Sequence, residues 1–242
     1  MLNMSDEDIS AEAYEWVKNN PAVLIEVIAG KYHDTAEGRV SVFMAGAPGA
    51  GKTEFSRCLI RDRFGLDTTL IVRIDPDEIR TQIPTYKQGK AELFNRATNK
   101  GVELLVDHCF DRKLDKSFLL DGTLAKYEKA KVNIERSLNK NRAVFVFYVY
   151  QQPEVAWRFT QAREILEGRH ISKEIFIEQF IDAGKTVTQL RKDFDSRLVV
   201  FLVQKNFTTH RVETVVEIEQ SGAQIDNYLK EAYTKDDLKN LL

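Results

Sequence analysis

Apolar residues change their spacing along the chain in a way that separates strands from helices. Nearly continuous apolar runs of strand length fall at residues 40–45, 70–74, 117–120, 143–150 and 197–203. Runs without polar alternation predict strands covered on both faces, as in a parallel sheet. Between them the spacing turns helical. Residues 54–60 follow the first run, residues 90–112 place Leu93, Ala97, Leu104 and Leu105 on an amphipathic helix, and Tyr127, Ala130, Ile134 and Leu138 mark the next. Pro153 opens a helix striped by Val155, Phe159, Ala162 and Leu166. Ser172 caps another, in which Phe176, Phe180, Ala183, Val187, Leu190 and Phe194 recur at spacings of four and three. The pattern weakens after Asn206, where residues 212–219 predict a strand and residues 224–242 a terminal helix.

Ahead of the first strand, Ser5-x-x-Asp8 signals a helix start, with Ile9, Ala13, Trp16 and Val17 at helical spacing. Asn20-Pro21 is expected to cap and open a second helix through Leu24, Ile25 and Ile28 to a stop at Gly30. Residues 1–38 are thus expected as a helical preface packed on a main domain of residues 39–242, the whole forming one structural unit. Strands alternating with helices predict an α/β fold built on a three-layer, doubly wound parallel sheet.

The junction after the first strand carries Gly46-Ala47-Pro48-Gly49-Ala50-Gly51-Lys52-Thr53, which fits G-x-x-x-x-G-K-[ST]. In that pattern the glycines let backbone N–H groups curl around a phosphate, the lysine reaches the terminal phosphates and the hydroxyl holds Mg²⁺. A glycine-rich turn is the plain alternative; a strand before and a helix after favour a nucleoside-triphosphate site. Ligands of an open parallel sheet bind beyond the carboxyl ends of its strands. Two further strands end in useful residues, Asp75-Pro76-Asp77-Glu78 and Asp121-Gly122-Thr123.

Asp75, Pro76 and Glu78 suit the N-cap, N1 and N3 positions of a helix, which leaves Asp77 for chemistry. A carboxylate beside a phosphate loop accepts the proton of a hydroxyl that attacks the γ-phosphate. Asp121 stands where an acid orients Mg²⁺ or contacts substrate, or else caps a helix beginning near Thr123. Arg163 lies near the edge of its helix's apolar stripe and Arg169 follows a glycine. Both are candidates for a closing segment that stabilises a phosphoryl-transfer transition state. A solvated face, with Arg163 paired to Glu167 one turn on, is the alternative.

Composition narrows the partners. Lys plus Arg number 35 against 37 for Asp plus Glu, a formal net charge of -2, so no global field draws the protein to nucleic acid or anionic lipid. Lys126, Lys129, Lys131, Arg136, Lys140 and Arg142 cluster around one helix with few interleaved aromatics and are expected as a solvated face. The acidic N-terminus lacks the order of a signal peptide and no apolar run has membrane length, so a cytoplasmic protein with no membrane partner is expected. Cys58 and Cys109 are expected as free thiols, and the four histidines give no metal-ligand spacing.

Taken in order, several stretches resemble the zeta-toxin family of phosphate-loop kinases over residues 40–193. They are the loop at 46–53, Ile74-Asp75-x-Asp77-x-x-Arg80-x-Gln82-x-Pro84, Asp121-Gly122-Thr123, Ala162-Arg163-Glu164 and Gly168-Arg169-His170. The loop is common to a superfamily, and the stretch 74–84 is the discriminating part. The resemblance implies ATP- and Mg²⁺-dependent phosphorylation of a sugar-nucleotide hydroxyl, with UDP-N-acetylglucosamine the family's best-known acceptor. Some members are toxins held inactive by a small helical antitoxin. It implies that Asp77 is the base, that Lys52, Arg163 and Arg169 act in catalysis, and that Thr53 and Asp121 touch the metal. Substrate contacts would fall on Asp75, Arg80, Asp121 and Thr123. One departure matters, because family members often carry Glu-Gly-Thr where this chain has Asp121-Gly122-Thr123, and a shorter acid bears on which sugar nucleotide fits. Two other readings use the same loop: a nucleoside or polynucleotide 5′-hydroxyl kinase, and an ATP-switched binding protein or hydrolase without phosphoryl transfer.

Overall fold

A six-stranded sheet forms the centre of the computed structural model, which describes residues 4–32, 38–63, 70–86, 90–168, 170–205, 212–218, 225–229 and 231–242. Its strands are β1 (Val40–Ala45), β2 (Val72–Ile74), β3 (Phe118–Leu120), β4 (Ala143–Tyr150), β5 (Val199–Lys205) and β6 (Val212–Glu217), lying in the order β2-β3-β1-β4-β5-β6. The first five run parallel, and β6 pairs antiparallel with β5 at the edge. The expectation of a wholly parallel sheet is corrected at this one strand. Residues 206–211 are too few for the crossover of about a dozen residues that a parallel pair requires.

The helices are α1 (Asp6–Asn19), α2 (Pro21–Ala29), α3 (Lys52–Cys58), α4 (Pro76–Thr81), α5 (Asn95–Cys109), α6 (Tyr127–Leu138), α7 (Pro153–Glu167), α8 (Lys173–Phe194) and α9 (Lys235–Leu241). Strand alternation divides the core between two faces. Val42 and Met44 meet Phe55 of α3, with Leu59 and Ile60 from the π-helical turn (Leu59–Arg63) that extends it. Phe43 and Ala45 join the larger cluster, to which α1, α2, α5, α6 and α8 contribute. The α8 stripe is buried along its whole predicted length, from Phe176 to Phe194. The preface is part of the same core, because Ala13, Val17, Leu24, Ile28 and Ala29 lie in the larger cluster.

Local chemistry sets most of the boundaries. Ser5 Oγ accepts from the Asp8 N–H and the Asp8 carboxylate accepts from the Ser5 N–H, so α1 opens on a capping box. Asn20 does not cap α2. Its Nδ2 donates to Trp16 O and closes α1 instead, while Pro21 at the first position of α2 has no N–H to satisfy. The long helix expected over residues 90–112 divides into a 3₁₀ turn (Ala91–Phe94) and α5. The terminal helix is likewise shorter than expected, a 3₁₀ turn (Ile225–Tyr228) followed by α9, because Thr234 and Asp237 form a second capping box that restarts the helix.

Arg142 departs from the solvated face expected for it. It is buried, and its guanidinium donates to the carbonyls of Val40, Lys116 and Cys109 and to Asp115, holding the amino ends of β1, β3 and β4 together. Among the described residues no helix is long and apolar enough to cross a membrane.

Candidate active site

The loop between β1 and α3 takes a shape that only glycine permits at three positions. Gly46, Gly49 and Gly51 have φ values of 134°, 72° and 81°. Crowding adds to the requirement, since a Cβ on Gly46 would lie 2.3 Å from Val149 O and one on Gly49 would lie 2.1 Å from Ala156 O. These obstacles are backbone atoms and cannot swing aside. The Gly46 N–H donates to Thr123 O at 3.1 Å, tying the loop to the end of β3. Lys52 Nζ donates to Gly46 O at 3.0 Å and Ala47 O at 2.7 Å, so the lysine lies back across the loop's strand end. Gly49→Ala is expected to push α7 off the loop at a cost of about 1–3 kcal/mol, lowering the melting temperature and weakening ADP binding. A variant equal to the wild type in calorimetric binding and in thermal melting would mean that α7 does not seat there.

Beyond β2 and β3 the carboxylates are joined through a buried arginine. Asp75 caps α4, its Oδ1 accepting from the Asp77 N–H at 2.9 Å. Its Oδ2 accepts from Arg73 Nη2 at 2.5 Å, and the same nitrogen donates to Asp121 Oδ2 at 2.8 Å. Arg73 Nη1 donates to Glu78 Oε1 at 2.5 Å, so Glu78 is drawn to Arg73 rather than back to the N-cap. Ser56 Oγ lies 3.0 Å from both Thr53 O and Asp121 Oδ2 and ties α3 to β3. Asp121 does not cap a helix, since α6 begins only at Tyr127.

Burial works against the charge on Arg73, yet Asp75, Asp121 and Glu78 together hold its pKa above the ordinary arginine value. Burial raises the Asp75 pKa and the Asp121 charge adds to the rise, with Arg73 and the hydrogen bond from the Asp77 N–H opposing. Asp75, Asp77, Glu78 and Asp121 gather at two strand ends, and Arg73 pairs with three of these four acids.

Asp77 stands apart from that cluster, 30% exposed, and is held by two arginines. Its Oδ1 accepts from Arg80 Nη1 at 2.7 Å and its Oδ2 from Arg163 Nη2 at 2.8 Å. Arg80 is buried on α4, whereas Arg163 reaches across from α7. Among the described residues Arg163 forms an ion pair with Asp77. Arg169 lies outside the described residues. α7 also corrects the expected stripe: Val155 is buried, but Phe159 is 40% and Leu166 78% exposed. The inward line runs instead through Ala156 and Thr160, because the second half of the helix leaves the core to cover the phosphate loop. Ala156 O and Thr160 Oγ1 crowd Gly49, and Arg163 meets Asp77 three residues on.

The family model described as Zeta toxin matches residues 26–216. The chain belongs to the zeta-toxin family of phosphate-loop kinases. No curated protein matches it. A solved chain from the PezAT chromosomal toxin–antitoxin system of the human pathogen Streptococcus pneumoniae superposes with a TM-score of 0.64 at 16% identity, covering 94% of this chain and 93% of that one. The AvrRxo1-ORF1:AvrRxo1-ORF2 complex with sulphate ions gives 0.57 at 12% identity over 96% of this chain and 78% of that one. The complex with ATP gives 0.54 at 12% identity, over 89% and 68%. At these identities the likeness is one of fold.

In this zeta-toxin fold the donor set near Thr53 suits a small hard cation. The Thr53 hydroxyl and the Asp121 carboxylate are oxygen donors on neighbouring elements, and one carboxylate with phosphate and water is what Mg²⁺ ordinarily takes. Arg73 shares that carboxylate through Oδ2, leaving Oδ1 without a partner among the described residues.

Two residues of the site carry no motif. Arg73 interrupts the apolar run at residues 70–74, and a charge inside a strand covered on both faces signals a buried partner. Lys205 ends β5 at the same carboxyl edge, 8% exposed and next to Gly51. It escapes the sequence pattern because the apolar run stops at residue 203.

Proposed function

We propose that this zeta-toxin chain transfers the γ-phosphate of ATP to a hydroxyl of a sugar nucleotide such as UDP-N-acetylglucosamine, with Asp77 as the base. The observation that carries the proposal is the path of α7. Its Ala156 and Thr160 sit on the phosphate loop at Gly49, and its Arg163 binds Asp77 three residues later, less than one helical turn of about 5.4 Å. Donor loop and candidate base therefore bear on a single helix through residues less than one turn apart.

The geometry supports a role for each residue. Lys52 and the loop N–H groups bind the phosphates, and Thr53 with Asp121 would hold Mg²⁺, which supplies neutralisation of the charge developing between the β- and γ-phosphates. Asp75 acts at one remove, capping α4 so that Asp77 is fixed on its first turn. Arg80 orients Asp77 through Oδ1. Arg163 leaves Asp77 Oδ2 as substrate enters, freeing that oxygen to take the hydroxyl proton and bringing a guanidinium toward the transferring phosphoryl group. Arg169 and Thr123 are assigned to the lid and the substrate contact by the family resemblance alone. A small protein antitoxin is the proposed partner, in keeping with fold neighbours drawn from a toxin–antitoxin system.

The test is to incubate the protein with ATP, Mg²⁺ and a panel of nucleotide sugars, nucleosides and 5′-hydroxyl oligonucleotides, and to follow the products by mass spectrometry. A phosphorylated sugar nucleotide is expected. Release of inorganic phosphate with no phosphorylated acceptor would overturn the transferase reading.

A further inference from the structure

We infer that Lys205 is a second phosphate-binding lysine, which takes the α-phosphate of the nucleotide while Lys52 takes the terminal phosphates. The inference rests on the nucleotide reading of the loop and goes beyond it by assigning a residue outside the motif. Lys205 ends β5, separated from β1 by β4 alone, so its side chain starts from the carboxyl edge that carries the loop. Its Nζ lies against Gly51, where a Cβ would fall 1.9 Å from it. The side chain is buried, and among the described residues no hydrogen bond or salt bridge reaches the ammonium. Burial lowers its pKa, with Glu54 and Cys58 opposing through space.

A mostly buried lysine whose ammonium has no hydrogen-bond partner among the described residues is unfavourable, and this one stands beside the first turn of α3, where the backbone N–H groups already carry partial positive charge. Packing gives no reason for the charge, since a methionine would fill a similar volume without it. An anion seated on the loop supplies the missing partner. The positions of the two lysines say which phosphate it is. Lys52 lies on Gly46 O and Ala47 O at the strand end of the loop, whereas Lys205 faces Gly51 at the helix end. In this motif the lysine goes to the β- and γ-phosphates and the loop N–H groups cradle α and β. The ammonium at the opposite end therefore meets the α-phosphate. Gly51 lacks a side chain for a reason of its own, because any Cβ would occupy the position of Lys205 Nζ.

The probe is ADP, measured by calorimetry on the wild type, Lys205→Met and Lys52→Ala, with thermal melting of each protein without nucleotide. Lys205→Met is expected to weaken ADP binding about ten- to a hundredfold, the effect of one charged hydrogen bond to phosphate. Its melting temperature is expected to equal or exceed that of the wild type. A lysine kept for packing would give the reverse, a lower melting temperature with unchanged binding. An unchanged Kd in Lys205→Met, beside a wild type that binds ADP, overturns the inference and leaves the kinase reading standing. If the wild type itself does not bind ADP and Lys52→Ala changes nothing, the nucleotide reading fails first. Should Lys205→Met melt below the wild type, Lys205→Gln is judged by the same binding criterion.

Discussion

Asp77→Asn is expected to abolish phosphoryl transfer while leaving ADP binding within a few-fold of the wild type. The substitution keeps the shape of the side chain and one acceptor oxygen, so Arg80 retains its partner on α4. What it removes is the capacity to take a proton, and a positioned general base contributes roughly 10²–10⁴-fold to rate. Nucleotide binding is spared because Lys52, the loop glycines and Thr53 belong to the junction between β1 and α3, whereas Asp77 lies on the first turn of α4 against Arg80 and Arg163. The measurement is kcat with saturating ATP and acceptor, beside a calorimetric Kd for ADP. A variant that transfers at a near wild-type rate would remove Asp77 as the base and turn attention to Asp121. The same substitution separates chemistry from toxicity: if induced wild-type protein arrests growth, Asp77→Asn should not.

That the two halves of such a site could be recognised from the chain reflects two kinds of signal. Loop and strand-end acids announce themselves locally. A phosphate loop needs glycine at positions of positive φ, and Asp75 with Pro76 is a helix start whatever the tertiary context. The α8 stripe was equally legible, because that helix lies against the sheet for its whole length and its burial follows its periodicity. The α7 stripe was not, because periodicity says which residues share a face and not where the core stops. Half of α7 projects over the loop, and Ile165 and Leu166 emerge 86% and 78% exposed.

Arg73 and Lys205 mark the other limit. Each gains meaning from a segment far away in sequence: Asp121 just past the neighbouring β3 for Arg73, and the phosphate loop for Lys205. The position of β5 compounds the second case. A 3₁₀ turn (Asp195–Arg197) takes up the residues from which the strand was expected to begin, and the strand ends at Lys205 instead of residue 203. A shift of two residues keeps every side chain on its predicted face, so the core is unaffected. It changes which residue arrives at the strand's carboxyl end, and there a lysine replaces a valine.

Arg73→Met is expected to be the most damaging single substitution for stability, at about 3–5 kcal/mol, the range for breaking a buried ion pair by removing one partner. Asp75 and Asp121 are both buried, and with Arg73 gone they would face one another without a cation while Asp77 stands nearby. The loss should depend on pH in a stated direction. Without the guanidinium, burial and the neighbouring Asp121 charge make Asp75 still harder to ionise in the folded state than in the unfolded chain, so its folded pKa is raised further. Groups of that kind favour folding when protonated and disfavour it as pH rises through the raised values. The difference from the wild type in urea unfolding should therefore be largest near pH 7 and shrink toward the ordinary carboxylate range near pH 4. A second substitution, Asp121→Asn, removes one of the two stranded charges, and on the Arg73→Met background it should cost less than it does alone, or restore stability outright. Additive costs in that cycle, or a loss below about 1 kcal/mol for Arg73→Met at pH 7, would mean that the strand-end acids do not depend on Arg73. Asp121 would then be free to serve the metal with its full charge.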